Sequence, residues 1–356
     1  MTSLLSKITV PFFISHQGCP HNCIFCNQRT ISGSDGFLPD KTEILNKIYS
    51  WGRSAGERKL EAAFFGGSFS ALPRSSQATL LEPLQKLLND GTLTSVRIST
   101  RPDCIDTESV KWLMQRGVKT IELGVQSMDN SVLEASGRGH DAAASMSAIQ
   151  CIKSQGLSVG AQLMVGLPGD TPDKSLRSLE QVIAAGADFI RIYPVVVLTG
   201  TELARRFQSG NYEPLGLDKG IAVCKVLLLT AMRAGVAAVR IGLQADHGLN
   251  TETVLAGCWH PAFGQLVRSE LYFDLLSNLA SGQADAVPLS IRCHPARISD
   301  CAGHKRGNLK RMGNRWLSLK VIPDKSLAFE EVDIKYLHHN IKGNILSNQY
   351  LNTSEV

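Results

Sequence analysis

Two rhythms of apolar and polar positions take turns along the first two-thirds of the chain. A helix-like stretch closes on a glycine, and a short β-rich run follows at once. Residues 85–90 lead to Gly91 and the run 95–100, 112–116 to Gly117 and 119–123, and 148–155 to Gly156 and 157–165. Further on, 179–185 lead to Gly186 and 188–193, and 227–234 to Gly235 and 236–241. Glycine at these junctions suits the left-handed residue that ends a helix. Earlier runs at 8–14 and 60–65 read as strands, with a helix over 42–54 between them. Such alternation predicts βα units on a parallel sheet. Several strands are mixed apolar runs, as expected when both faces are covered. At least seven strands fit a full or partial (β/α) barrel; a doubly wound open sheet is the rival architecture. In both, chemistry belongs at the carboxyl ends of the strands. Residues able to do chemistry gather there: Cys19 after the first strand, Gly66 and Gly67 after the second, Arg101 after the third, Gln126 after the fourth, residues 166–169 after the fifth and Pro194 after the sixth.

The rhythm weakens after about Gly248, which predicts a core over 1–248 and a small C-terminal extension over 249–356. At 356 residues and 43% hydrophobic, the chain has ample material for a core and is not a disordered protein. The longest apolar stretch, around 226–232, is far short of the roughly 20 residues a membrane span needs. The first ten residues lack a secretory pattern. A cytoplasmic protein with no membrane partner is therefore expected. The net charge of +5 is unevenly placed: residues 292–320 hold eight Lys and Arg against Asp300 alone. Nine cysteines are too few for a disulfide framework at this length and read as free thiols, some of them metal ligands.

Three of the nine crowd into eight positions, as Cys19-Pro-His-Asn-Cys23-Ile-Phe-Cys26. Thiolates on one short loop can converge on a single metal centre. Zinc wants four ligands, and His16, His21 or a distant cysteine could supply the fourth. A [4Fe–4S] cluster held by three cysteines instead leaves one iron open to chelate a small molecule. The C-x3-C-x-aromatic-C spacing, with Phe25 as the aromatic, resembles that of the radical S-adenosylmethionine (SAM) superfamily. The resemblance implies a radical SAM type of (β/α) barrel, a [4Fe–4S] cluster on Cys19, Cys23 and Cys26, and SAM chelated at the open iron. It also implies reductive cleavage of SAM to a 5′-deoxyadenosyl radical that abstracts hydrogen from a substrate. Such a radical needs an enclosed, dry site.

Supporting motifs occur in the order the resemblance requires. Gly66-Gly67 in Phe-Phe-Gly-Gly-Ser-Phe resembles the glycine motif that receives the amino group of SAM. Gly124-Val-Gln126-Ser, with Arg138 twelve residues after Gln126, resembles the Elongator catalytic-subunit and oxygen-independent coproporphyrinogen oxidase branches. There Gln126 would bind ribose hydroxyls and Arg138 the SAM carboxylate. Ser99 stands where those branches often carry a carboxylate, with Arg101 just beyond it, and Glu122 is a candidate structural partner for Arg101. Gln162 and Gly166 would flank ribose and adenine. The closest resemblance is to the radical SAM core of the Elongator branch. Full members of that branch carry an acetyltransferase domain and modify wobble uridine in tRNA. Only about 110 residues follow the core, and no acetyl-CoA phosphate loop is apparent among them, so the carboxymethylation reaction is not carried over.

In the C-terminal third, Cys258, His260, Cys293, His294, Cys301 and His304 are too widely spaced for a second metal site and read as ordinary thiols and imidazoles, while Cys104, Cys151 and Cys224 read as core. The basic stretch permits contact with RNA phosphates, although Trp316 is nearly its only aromatic residue. The expected partners are a reducing electron donor such as flavodoxin or ferredoxin, and RNA. Two alternatives stay open: a haem carrier of the coproporphyrinogen-oxidase-like branch without turnover, and a metal-binding RNA-interaction protein.

Overall fold

The computed structural model describes residues 7–33, 36–243, 248–282, 286–313 and 315–347. The chain forms two compact units, Met1–Pro214 with Asp246–Gly257, and Leu215–Ala245 with Cys258–Val356. The first unit runs β1 (Lys7–Phe13), α1 (Gln28–Ser32), α2 (Lys41–Ala55), β2 (Lys59–Phe65), α3 (Arg74–Asn89), β3 (Leu93–Thr100) and α4 (Thr107–Met114). It continues through β4 (Val118–Gln126), α5 (Asn130–Ala135), α6 (Ala142–Ser154), β5 (Ser158–Val165), α7 (Pro172–Ala184), β6 (Phe189–Pro194), β7 (Val196–Leu198) and α8 (Glu202–Gln208). The second unit opens with α9 (Leu217–Arg233) and β8 (Ala237–Ile241), the seventh expected strand. The chain then gives β9 (Val254–Gly257) to the first unit, where it pairs antiparallel with β7.

In the first unit β1 to β6 lie side by side in chain order, every pair parallel. β1 does not pair with β6, so these strands form an open arc, the partial rather than the full (β/α) barrel. Local sequence explains the elements. Asp40 and Glu43 close a capping box on α2, Asp106 and Ser109 another on α4, and Thr171 with Pro172 starts α7. At the other ends, Gly117 and Gly186 take φ of +85° and +101°, the left-handed closure foreseen from the sequence. Strands such as β2 are buried along almost their whole length, and Leu80, Leu81, Leu84 and Leu87 of α3 pack the sheet's outer layer.

A row of charges crosses the sheet at mid-height. Glu61 on β2 accepts from Ser95 Oγ (2.8 Å) and Arg97 Nε (2.8 Å) of β3. Arg97 Nη1 reaches Glu122 Oε1 of β4 at 2.7 Å. Arg191 of β6 closes the row with a two-pronged bond to Glu122, at 2.6 and 3.0 Å. It reaches past β5 because Glu122 stands in register with Gly160, which has no side chain and lies under the Phe189 ring. Glu122 thus pairs with Arg97 and Arg191 rather than with Arg101. Opposite charges alternate, so each buried ion meets a partner.

The second unit continues with α10 (Phe263–Ala280), β10 (Pro288–Cys293), α11 (Ile298–Ala302), α12 (Gly307–Gly313), β11 (Ser318–Pro323), β12 (Glu331–Tyr336) and β13 (His339–Asn344). Its four strands are ordered β11-β10-β12-β13, with only the β10–β11 pair parallel. Much of the basic stretch is neutralised inside this unit. Arg292 pairs with Asp324 and Asp333, Arg297 with Asp300, and Arg311 with both oxygens of Glu270. Arg315 donates to the Ala280 carbonyl. Lys305, Arg306, Lys310 and Lys320 form no ion pair among the described residues. No described helix is long and apolar enough to cross a membrane.

Candidate functional site at the carboxyl ends of the strands

The cysteine loop leaves β1 at Ile14 and is tied down before it reaches Cys19. Gln17 N donates to Ile14 O at 3.0 Å, making a tight turn. Gly67 N donates to the same Ile14 oxygen (3.1 Å) and Ser68 N to Gln17 O (2.9 Å), fastening the turn to the end of β2. The fit is close: a Cβ on Gly67 would lie 2.1 Å from Gln17 O and 2.5 Å from Ile14 O. Glycine is needed there for approach, not for an unusual dihedral. His16, with φ of +60°, is locked to the start of α1: its Nε2 accepts from Gln28 N at 3.0 Å, and its own N–H donates to Gln28 Oε1. That lone pair is therefore taken, and His16 is not free to serve as a fourth ligand. On the far side of the thiols, Ile24 is buried against Val132, Leu167 and Leu203, with Phe25 packed beside it.

Cys19, Cys23 and Cys26 are free thiols, each half-buried. Burial pushes the Cys26 thiol up to about 12, and the neighbouring Cys23 and Cys19 push the same way. Three thiolates side by side are thus unfavourable unless a cationic centre joins them. Among the described residues, no three His, Cys, Asp or Glu side chains converge as ligands of one ion. A cubane takes one thiolate per iron and so spaces them more widely than a mononuclear site does. Polar groups reach all three sulfurs: Ser68 Oγ lies 3.6 Å from Cys19 Sγ, Arg138 Nη1 lies 3.1 Å from Cys23 Sγ, and the Gln28 backbone N–H faces Cys26.

Arg138 is the unusual group of the site. It is buried, with 5% exposure, and pairs with no carboxylate among the described residues. Its other donors go to the Gly124 carbonyl and to His140 Nε2. Arg101 holds the backbone in place: it grips Asp103 with two bonds (2.9 and 3.0 Å) and donates to the Arg138 carbonyl. Arg101 is thereby engaged in supporting Arg138.

Gln126 ends β4 on a bulge. The register with β5 slips between Gly124 and Gln126, and Gln126 takes φ of +70°. The extra residue brings its side chain to Gln162 of β5, whose Nε2 donates to Gln126 Oε1 at 3.3 Å. A Cβ on Gly124 would touch both Gln126 Nε2 (3.1 Å) and Arg138 Nη2 (3.4 Å), so the three residues are packed together. Gln126, Gln162, Arg138 and the cysteine loop are therefore contiguous. Ser99 is half-buried, stands in register with Glu122, and its side chain makes no hydrogen bond among the described residues. The Gly66 carbonyl already accepts from Gln28 Nε2 (2.6 Å), whereas that of Gly67 meets no donor among the described residues. Gly166, with φ of +85°, gives its N–H to Asp170 and its carbonyl to Tyr212. Beside the loop, a cleft of about 760 Å³ is lined by His21, Asp103, Glu134, His140 and Asp141.

Sequence reasoning passed over Ser68 and His140, which touch Cys19 and Arg138. Ser68 directly follows the glycine pair and His140 lies two residues beyond Arg138, so proximity along the chain was the available signal.

Residues 13–182 match the radical SAM superfamily, and residues 187–272 match the radical SAM C-terminal domain. The chain is 27% identical over 259 residues to tRNA uridine(34) acetyltransferase of Methanocaldococcus jannaschii, covering 60% of this chain and 47% of that protein. It is 31% identical over 197 residues to the heme chaperone HemW of Haemophilus influenzae, covering 53% and 51%. The chain thus spans about half the length of both. The structure of archaeal Methanocaldococcus infernus Elp3 with an N-terminal deletion shares the fold, with a TM-score of 0.59 at 20% identity over 75% of this chain and 62% of that one. The two domain matches place the chain in the radical SAM superfamily, and its fold is similar to that of M. infernus Elp3.

Proposed function

We propose that this protein is a radical SAM enzyme in which Cys19, Cys23 and Cys26 hold a [4Fe–4S] cluster and Arg138 receives the carboxylate of SAM. Family membership implies both cofactors. The observation that carries the assignment of residues is the buried Arg138 guanidinium, set against Cys23 with no carboxylate partner among the described residues. A cation taken out of water costs several kcal/mol unless an anion or good dipoles replace the lost hydration. Arg138 meets a thiol, a carbonyl and a neutral ring, an arrangement that awaits an anion.

In this reading the remaining residues bind and orient. The Gly67 carbonyl, which meets no donor among the described residues, accepts from the amino group, and the paired amides of Gln126 and Gln162 bond the ribose hydroxyls. Gln126, with 5% exposure, also helps to keep water from the reacting side. Bound together and reduced, the two cofactors supply a carbon radical capable of hydrogen abstraction. The electron comes from an external donor such as flavodoxin or ferredoxin. The substrate we favour is tRNA, on likeness to the M. jannaschii tRNA uridine(34) acetyltransferase.

Anaerobically reconstituted protein given dithionite and SAM is expected to yield 5′-deoxyadenosine, detected by mass spectrometry, and Cys23→Ala none. A full cluster with SAM bound and no 5′-deoxyadenosine overturns the reading. The 31% identity to HemW supports a second one, haem carriage, which stoichiometric haem binding without SAM cleavage would select. Comparing nucleosides of bulk tRNA with and without the protein tests the substrate.

A further inference from the structure

Within the tripeptide Arg138-Gly139-His140, two residues touch the cysteine loop directly. Arg138 Nη1 meets Cys23 Sγ, and Gly139 lies beneath the ring of His21. A Cβ on Gly139 would fall 2.5–2.7 Å from three atoms of that ring, at a backbone φ of +71°. His140 makes no hydrogen bond to that loop among the described residues. Instead, Arg138 Nε and Nη2 both converge on its Nε2, at 3.3 and 3.2 Å. Two N–H donors pointing at one ring nitrogen require a lone pair there. The ring proton is therefore assigned to Nδ1, which lies 3.2 Å from the Asp141 carbonyl and donates to it. That carbonyl is itself anchored, since Asp141 begins α6 and its carboxylate caps Ala144 N at 2.8 Å. Burial and the adjacent Arg138 charge hold the pKa of His140 down at about 4, so the neutral ring persists at ordinary pH.

A guanidinium is planar, and fixing one edge fixes the direction of the other donors. His140 and the Gly124 carbonyl hold the Nε and Nη2 side, which leaves Nη1 directed at the cysteine loop. We infer that His140 is a positioning residue, a neutral acceptor that orients Arg138 and so sets the affinity of the site for the carboxylate of SAM. The inference rests on the reading of Arg138 given above. An arginine free to rotate no longer holds its remaining Nη1 donor in line with the carboxylate, although its charge remains.

The test is SAM affinity, measured by anaerobic equilibrium dialysis on reconstituted protein alongside iron and sulfide content. His140→Ala is expected to bind SAM about tenfold more weakly, or about 1.4 kcal/mol, at unchanged cluster content. His140→Gln, whose amide oxygen offers an acceptor at similar reach, is expected to recover most of that loss. Wild-type affinity in His140→Ala, with affinity lost in Arg138→Ala, overturns the positioning role and leaves the reading of Arg138 intact. Wild-type affinity in Arg138→Ala overturns that reading and the inference with it. Should His140→Ala fail to take up iron, His140→Leu, which fills the space without an acceptor, replaces it. Should both fail, His140→Gln decides: near-wild-type affinity supports the role, and a tenfold loss at full cluster content overturns it.

Discussion

Replacing Gly67 with alanine puts one methyl group where the cysteine loop already presses on the end of β2. The added carbon would sit 2.1 Å from Gln17 O, 2.5 Å from Ile14 O and 2.9 Å from Gln17 N, all backbone atoms with no rotamer to yield. Ordinary contact begins at 3.4 Å, so the turn has to withdraw by about 1.3 Å. Withdrawal on that scale breaks the bonds from Gly67 N to Ile14 O and from Ser68 N to Gln17 O. Each is worth about 1 kcal/mol, and forced overpacking adds about 1–3 kcal/mol. A loss of roughly 3–5 kcal/mol follows, which for a unit of this size lowers Tm by roughly 6–20 °C. Because Cys19 lies two residues beyond Gln17, the thiols move as well, and uptake of iron and sulfide on anaerobic reconstitution should fall sharply. Gly52→Ala is the control: it sits within α2, its nearest neighbour would be Leu60 Cδ1 at 3.7 Å, and alanine there should stabilise by up to about 1 kcal/mol. Gly67→Ala with wild-type Tm and a full complement of iron would refute the argument from close approach.

Other consequences are open to measurement. Glu122→Ala leaves Arg97 and Arg191 buried without their shared carboxylate and should cost about 3–5 kcal/mol in urea unfolding; a loss under 1 kcal/mol would show the charge row to be dispensable. Ser68→Ala removes a polar contact to the Cys19 sulfur and, if the cluster binds as proposed, should lower its midpoint potential, because such contacts favour the more negative reduced state. A tenfold fall in reduced fraction corresponds to about 59 mV, and an unchanged redox titration counts against it. The folded-state pKa of His140, about 4 against an ordinary 6.5, means that the unfolded chain takes up its proton first as pH falls. Stability from this group is therefore complete above pH 6.5 and lost progressively down to pH 4, by roughly 3 kcal/mol in all. The difference in stability between wild type and His140→Gln should shift across that window, and a flat difference would contradict the assignment.

Much of the first unit was legible because its signals are local. The glycine-to-strand junctions located β3 to β6, and β8 of the second unit, and the cysteine spacing, glycine pair and Gln126 all fell at strand ends, as parallel-sheet logic requires. What could not be read depends on register. A carboxylate at Glu61 or an arginine at Arg97 inside a buried strand signals some polar partner, but the row joins residues 36, 25 and 69 positions apart. Arg101 was a candidate partner for Glu122. The sheet sets Glu122 between Arg97 and Arg191, with the side-chain-free Gly160 opening the way. The Gly66 carbonyl looked available to a ligand until Gln28, from the helix after the cysteines, was found against it. Counting charge over 292–320 also missed the neutralising carboxylates, because Glu270, Asp324 and Asp333 lie outside that stretch.

The row from Glu61 to Arg191 acts as a crossbar. Sliding β3 or β4 past its neighbours by a residue would turn that strand's charge to the opposite face and leave buried charges without their partners. The strand tips are thereby levelled against one another, and the positions of Gln126 and Gln162 inherit that alignment. New substrate chemistry on this scaffold is easier to reach by altering the loops beyond the tips than by touching the braced strands.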